Sequence, residues 1–110
     1  MNFYIGNRIE DINVSDENVC FDDNLLDYID SMREKTNINF SPLIAIDPYD
    51  DVVLSDEDIT GMIDMCEAVL KSEFLNQYAE KEFAKKEFNQ FIEFARTAIS
   101  EGKGLISIGD

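Results

Sequence analysis

Apolar side chains recur at steps of three and four residues in three stretches of the chain, and this spacing predicts three helices. The first helix is expected to begin at an aspartate N-cap, Asp22 or Asp23, and to run to about Glu34. Its apolar positions are Leu25, Leu26, Ile29 and Met32. Because the N-cap and the apolar spacing agree, we expect one face of this helix to pack on the core.

The second predicted helix begins after Ser55, whose hydroxyl can cap the free backbone N–H groups. Its inner face consists of Ile59, Met62, Ile63, Cys66, Val69 and Leu70. No Gly or Pro occurs in residues 62–101, but so long a helix is unusual in 110 residues, so we expect a break between Lys71 and Glu80. The third helix then runs to Gly102, a suitable C-terminal stop. Its apolar positions are Ala84, Phe88, Phe91, Ile92, Ala95, Ala98 and Ile99.

Short apolar runs bounded by polar or turn residues predict the strands. Asn2–Ile5 and Leu105–Ile108 are predicted strands that adjoin glycines. Val19–Phe21 is either a short strand or the approach to the first helix. Leu43–Ile46 is predicted to be a central strand, ended by the Asp-Pro pair that follows it. Val52–Leu54 is either a brief strand or the apolar approach to the second helix.

The order of these elements bears on the fold class. The predicted order is β, α, β, α, α, β, which indicates an α+β fold with a small β-sheet packed against two or three helices. The chain has 110 residues, with no Ser/Gly-rich linker and no internal repeat, so residues 1–110 are expected to form a single domain. The order of the strands within the sheet is open at this point.

The charge of the chain indicates what kind of partner it can bind. There are 24 Asp and Glu residues against 9 Lys and Arg residues, a formal net charge of −15. Residues 1–60 hold 15 of the acidic and 3 of the basic residues, so −12 of the charge lies there. Such a chain repels phosphates, so nucleic acid and anionic membranes are not expected as ligands. A cationic partner, above all a basic protein, is favoured.

The sequence lacks the residues that most catalytic and metal sites need. It has no His, which removes Ser–His and Cys–His catalysis and His-ligated zinc. Asp47, Asp50 and Asp51 supply hard oxygen ligands, but the spacing of an EF-hand calcium loop is absent. We therefore expect a protein that is not an enzyme, with no catalytic residues, no metal, no cofactor and no small-molecule substrate.

Three observations bear on where the protein resides. The N-terminal residues 1–13 lack the basic start and the long apolar core of a signal peptide, and no apolar run approaches transmembrane length. Cys20 and Cys66 do not form the pattern of a disulfide scaffold. We expect both to be buried free thiols, with a disulfide between them as the alternative. A cytoplasmic location is therefore expected.

A dense acidic stretch follows the predicted central strand, and we call residues Asp47–Asp58 the acidic segment. Its candidate partner-binding residues are Asp47, Tyr49, Asp50, Asp51, Asp56, Glu57 and Asp58. A tyrosine offers a large contact area with little rotamer entropy, so Tyr49 is a candidate interface anchor. The carboxylates around it can pair with Lys or Arg of a partner. The competing interpretation is a turn followed by a well-capped helix start, which requires no partner.

A second acidic group lies on the first predicted helix. Asp23, Asp27, Asp30 and Glu34 are separated by four, three and four residues and therefore share one face. Asp23, Asp27 and Asp30 are candidate partner-binding residues for this reason. The competing interpretation is a solvated face, in which aspartate near the helix start is favoured by the helix dipole.

Two segments carry a resemblance to a known family. They are Ile46–Ser55 (IDPYDDVVLS), which leads into a helix, and the ending Gly102–Asp110 (GKGLISIGD). With the size and charge of the chain, they resemble the small acidic immunity proteins of bacterial contact-dependent growth inhibition and polymorphic toxin systems. The resemblance implies that the protein binds one cognate toxin domain and blocks its activity. Many such toxins are nucleases with basic clefts, which suit an acidic inhibitor.

An alternative function follows from the same charge. An acidic protein can mimic DNA and thereby inhibit a nucleic-acid-binding or restriction protein. That function needs carboxylates spaced regularly over a long surface, like the phosphates of a duplex. Here the acidic residues concentrate in residues 1–60, so the immunity-protein hypothesis is preferred.

Overall fold

The computed structural model describes residues 1–109 and contains one antiparallel sheet of four strands. The strands are β1 (Asn2–Ile5), β2 (Asn18–Cys20), β3 (Val52–Leu54) and β4 (Leu105–Ile108). Their order in the sheet is β2-β1-β4-β3, so β1 and β4 are central and β2 and β3 are the edges. The last strand along the chain therefore lies between the first and the third.

Four helices accompany the sheet, and the α+β fold predicted from the sequence is confirmed. They are α1 (Asp23–Met32), α2 (Ser41–Ile44), α3 (Asp56–Lys71) and α4 (Lys81–Ser100). The predicted break after Lys71 is also confirmed, because a 3-10 turn at Phe74–Gln77 separates α3 from α4. Gly102 follows α4 with a φ of 69°, in the left-handed region that favours glycine. None of the described helices combines the length and apolarity needed to cross a membrane.

An aromatic cluster holds α4 against one face of the sheet. The ring centroid of Phe3 in β1 lies 5.0 Å from that of Phe91 in α4 and 5.9 Å from that of Phe21. Phe21 in turn lies 5.2 Å from Phe88. All four side chains are almost fully buried, and burial of one such side chain stabilises the fold by roughly 1.5–3 kcal/mol. The α4 helix is thus fixed on the sheet, and α3 packs against α4.

The prediction of a central strand at Leu43–Ile46 is wrong, because α2 begins just before these residues. Pro42 lies in the first turn of α2, where the missing N–H would have no partner in any case. Leu43 and Ile46 are buried, whereas Ile44 is 48% exposed, so burial follows a helical step of three. A short apolar run does not distinguish a strand from a buried helical turn. The observed order is therefore β, β, α, α, β, α, α, β.

The two cysteines are free thiols, as predicted, but only one of them is buried. Cys66 is buried in α3, and burial raises the pKa of its thiol. Cys20 is exposed, contrary to the prediction, because it lies on edge strand β2. In β2, Val19 pairs with Phe3 and packs against the core, whereas the side chain of Cys20 points to the opposite side of the strand.

Candidate functional site

The acidic segment contains edge strand β3 and the residues on either side of it along the chain. It comprises the loop of residues 47–51, β3 itself and the first turn of α3. All seven candidate residues in it are exposed, and Tyr49 is the most prominent because 80% of it is accessible. Val53 of β3 is 45% exposed as well. An aromatic and an aliphatic side chain are thus presented among carboxylates.

The loop before β3 is held by hydrogen bonds of its own carboxylates. Asp47 Oδ1 accepts from the backbone N–H of Tyr49 at 2.9 Å, which forms an Asx turn. Asp51 Oδ1 accepts from the backbone N–H of Gly109 at 2.8 Å, just after β4. The Gly109 backbone is so close that an added Cβ would lie 2.4 Å from the Asp50 nitrogen. The loop that presents Tyr49 is therefore fixed to the end of the central strand.

The start of α3 is closed by a reciprocal capping box. Ser55 Oγ accepts from the Asp58 N–H at 3.2 Å, and Asp58 Oδ2 accepts from the Ser55 N–H at 3.1 Å. Asp58 thus has the structural role that the competing interpretation assigned to it. The side chains of Asp56 and Glu57 accept no hydrogen bond within residues 1–109. These two carboxylates are available to a partner.

The carboxylates of the acidic segment have no cationic neighbour in the part of the chain that the structure describes. Five ion pairs occur there, and none includes a residue of the segment. They are Asp30–Arg33, Glu67–Lys71, Glu67–Arg96, Glu82–Lys85 and Glu101–Lys103. The negative field of the segment is therefore not neutralised by contacts within the protein.

A small apolar groove lies beside β3, between α2 and the start of α3. Its volume is about 320 Å³, and its lining is Pro42, Ala45, Ile46, Val52, Leu54, Glu57, Asp58 and Gly61. The helices approach closely here, because a Cβ on Gly61 would lie 3.3 Å from Pro42 Cγ. Sequence reasoning missed this groove because it placed a strand where α2 lies. A glycine within a helical pattern, Gly61, was the available signal.

The second acidic group is separate from the acidic segment. Asp23, Asp27 and Asp30 are exposed on α1, which follows edge strand β2, whereas the segment surrounds the opposite edge, β3. Asp30 is partly compensated by Arg33, at 3.6 Å between Oδ1 and Nε. Asp22 is the N-cap of α1, and its Oδ2 accepts from the Asn24 N–H at 3.2 Å. The ten candidate residues thus form two groups rather than one site.

The acidic segment offers polar acceptors rather than a cluster of metal ligands. Within residues 1–109, no group of three or more His, Cys, Asp or Glu side chains is arranged to hold a metal ion. What remains are exposed carboxylate acceptors, one exposed tyrosine and a narrow apolar groove, which are features of interfaces with basic proteins. Comparisons with protein-family models, with curated proteins and with solved structures found no match for this chain.

Proposed function

We propose that this chain is a bacterial immunity protein that binds a cognate toxin domain, a basic nuclease, and neutralises it. The observation that carries the proposal is the acidic segment, whose exposed carboxylates have no ion-pair partner in residues 1–109 and surround the exposed ring of Tyr49. The carboxylates of such a surface repel one another, so binding of a cationic surface to them is electrostatically favourable.

Each part of the segment has a role in the proposed interface. The carboxylates attract a basic cleft over distances comparable to the Debye length and speed the encounter. Tyr49 anchors the complex after contact, since a tyrosine offers a large contact area with little rotamer entropy and its loop is already held by hydrogen bonds. The groove lined by Ile46 and Val52 accommodates an apolar side chain of the toxin. Inhibition of this type requires no catalysis by the inhibitor, and it takes place in the cytoplasm of the protected cell.

The arrangement of the acidic residues favours the immunity function over the alternative function of a DNA mimic. A mimic would need acidic residues in a long regular row, whereas the two acidic groups of this chain lie on different elements, one on α1 and the other around β3. The two groups therefore suit separate contacts better than a duplex-like track.

Co-expression tests the proposal directly. The chain should restore growth of a bacterial host that expresses the toxin domain encoded beside its own gene. The same pair should associate faster at low salt than at high salt, because exposed charges are screened by ions. Failure to restore growth would rule out the immunity function. An association rate indifferent to ionic strength would rule out the electrostatic part alone.

A pair of matched variants tests the site. Asp50→Asn with Asp51→Asn removes two charges but leaves an amide oxygen that can still accept from the Gly109 N–H. We expect this variant to associate with the toxin several-fold more slowly. The control is Asp64→Asn with Glu73→Gln, which removes two exposed charges outside the segment. Equal rates for the two variants would show that only net charge matters.

A further inference from the structure

Glu87 of α4 is a buried carboxylate that lacks one of its hydrogen bonds. Only 8% of the residue is exposed. Its Oε1 accepts from the backbone N–H of Asp22 at 2.7 Å, whereas its Oε2 has no hydrogen-bond partner within residues 1–109. Leaving a buried carboxylate oxygen unpaired is costly, and burial accordingly raises the pKa of Glu87. Such an oxygen indicates a ligand that donates hydrogen bonds.

The surroundings of Glu87 form a cavity between edge strand β2 and α4. Its volume is about 330 Å³. Its lining includes Asp22 after β2 and Phe83, Glu87 and Gln90 of α4. Two of the lining side chains are carboxylates, and no Lys or Arg is among those that line it in the described chain. The cavity is therefore matched to a cation.

The aromatic ring at this cavity indicates which cation fits best. Phe83 is 57% exposed although it is apolar, and it lies next to the carboxylates of Asp22 and Glu87. A planar guanidinium can stack on an aromatic ring and donate several hydrogen bonds to carboxylate oxygens at the same time. An ammonium group lacks the planar face and is more strongly hydrated. The combination of ring and carboxylates thus favours arginine over lysine.

We propose that the cavity between β2 and α4 binds an arginine side chain of a protein partner, with Glu87 Oε2 as the acceptor and Phe83 as the stacking surface. The net charge of −15 favours a basic partner in general, and the cavity adds a specific position for one residue. Glu87 Oε2 is itself buried, so the guanidinium can reach it only if neighbouring side chains move. Phe83 and Gln90 are exposed and are therefore free to change rotamer and admit it.

Arginine binding at this cavity is independent of the proposed immunity function, so either proposal can fail while the other holds. The cavity adjoins β2, whereas the acidic segment surrounds β3 at the other edge of the sheet. Variants of Glu87 and Phe83 therefore leave the acidic segment intact. A toxin that binds only through the acidic segment would be unaffected by them.

The test is a titration of the full chain with N-acetyl-arginine amide, followed by NMR. Saturable shifts are expected at the backbone amides of Asp22, Phe83 and Glu87. Glu87→Gln keeps an oxygen for the Asp22 N–H but removes the charge, and it should weaken binding by at least about tenfold. Glu93→Gln is the matched control, since it removes one exposed charge from the same helix outside the cavity and should leave binding unchanged.

Three further titrations separate this site from general attraction to an acidic protein. N-acetyl-citrulline amide has a similar shape without the charge and should not bind. Phe83→Ala, which changes an exposed ring and is not expected to disturb folding, should weaken the arginine compound by several-fold. Non-saturable shifts spread over all acidic residues, or equal affinity in Glu87→Gln and Glu93→Gln, would overturn the proposal. Equal affinity for N-acetyl-lysine amide would overturn the choice of arginine.

Discussion

The acidic segment and helix α4 differ in whether their charged side chains form ion pairs within the protein. In α4, Glu82 pairs with Lys85 at 3.8 Å, and Arg96 reaches Glu67 of α3 at 2.9 Å. The acidic segment contains only acidic charges, none of them paired within residues 1–109. The opposite face of α4 is buried and aromatic, whereas the segment presents Tyr49 to solvent.

This difference separates a scaffold from a candidate binding surface within one small fold. Exposed ion pairs each contribute little, so α4 is held mainly by its buried face. The folded chain gains from these carboxylates only where they accept backbone hydrogen bonds, as those of Asp47, Asp50, Asp51 and Asp58 do. Mutations in the two regions should therefore affect different properties, stability in α4 and association in the segment.

The largest effect is expected from Phe91→Ala in α4. The change removes a ring that is 1% exposed and packs against Phe3 and Phe21, and it leaves a cavity between the helix and the sheet. We expect the free energy of unfolding to fall by about 3–5 kcal/mol. Urea denaturation measures this change. A loss below about 1 kcal/mol would show that α4 does not anchor the fold.

Ser55→Ala should have an intermediate effect, because it opens the capping box of α3. The Asp58 N–H loses its acceptor, and a loss of about 1 kcal/mol in stability is expected. Asp56→Asn, one residue further along, is the control, since its carboxylate makes no hydrogen bond within residues 1–109. Similar losses for both variants would mean that the cap is not the cause.

Glu87→Gln should change how stability depends on pH. In the folded chain, burial raises the pKa of Glu87 above its ordinary value of 4.5, so the folded state holds this proton more tightly than the unfolded state. Glu87 therefore lowers stability as the pH rises through that raised pKa. Relative to the unmodified chain, the Gln variant should become more stable as the pH rises from the ordinary pKa of 4.5 through the raised pKa of Glu87. A difference independent of pH would contradict this prediction.

The smallest effect on folding is expected from Tyr49→Ala in the acidic segment. Because 80% of Tyr49 is exposed, the free energy of unfolding should change by less than about 0.5 kcal/mol. Dissociation from a toxin partner should nevertheless become faster, equivalent to about 2 kcal/mol or more if Tyr49 is an anchor. A large loss of stability together with unchanged dissociation would assign Tyr49 to the scaffold.

Local signals account for the parts of the fold that could be predicted. The N-cap of α1 at Asp22, the capping box at Ser55 and the stop at Gly102 are each determined by a few neighbouring residues. The helical turn α2 was missed because its apolar run is too short to show a period. The sheet order could not be predicted, since strand pairing depends on contacts between residues far apart in sequence.

In the candidate sites, too, the features set by local sequence could be predicted and those set by long-range contacts could not. The exposure of the acidic segment followed from its composition, and so did the absence of His-based chemistry. The hydrogen bond from the Gly109 N–H to Asp51 could not be predicted, because the two residues are 58 positions apart in sequence. Glu87 could not be distinguished by sequence from the other acidic residues, since only packing identifies a buried carboxylate.

The position of β4 has a consequence for the order of folding. Strand β3 pairs with β4, and the loop before β3 is held by Gly109 just after β4. A growing chain that has reached α4 but not β4 therefore has neither a pairing strand for β3 nor the Gly109 N–H that holds Asp51. Contacts between such distant residues close a long loop and form slowly. The surface that would meet a toxin is thus among the last parts of the molecule to take shape, after the helices are already made.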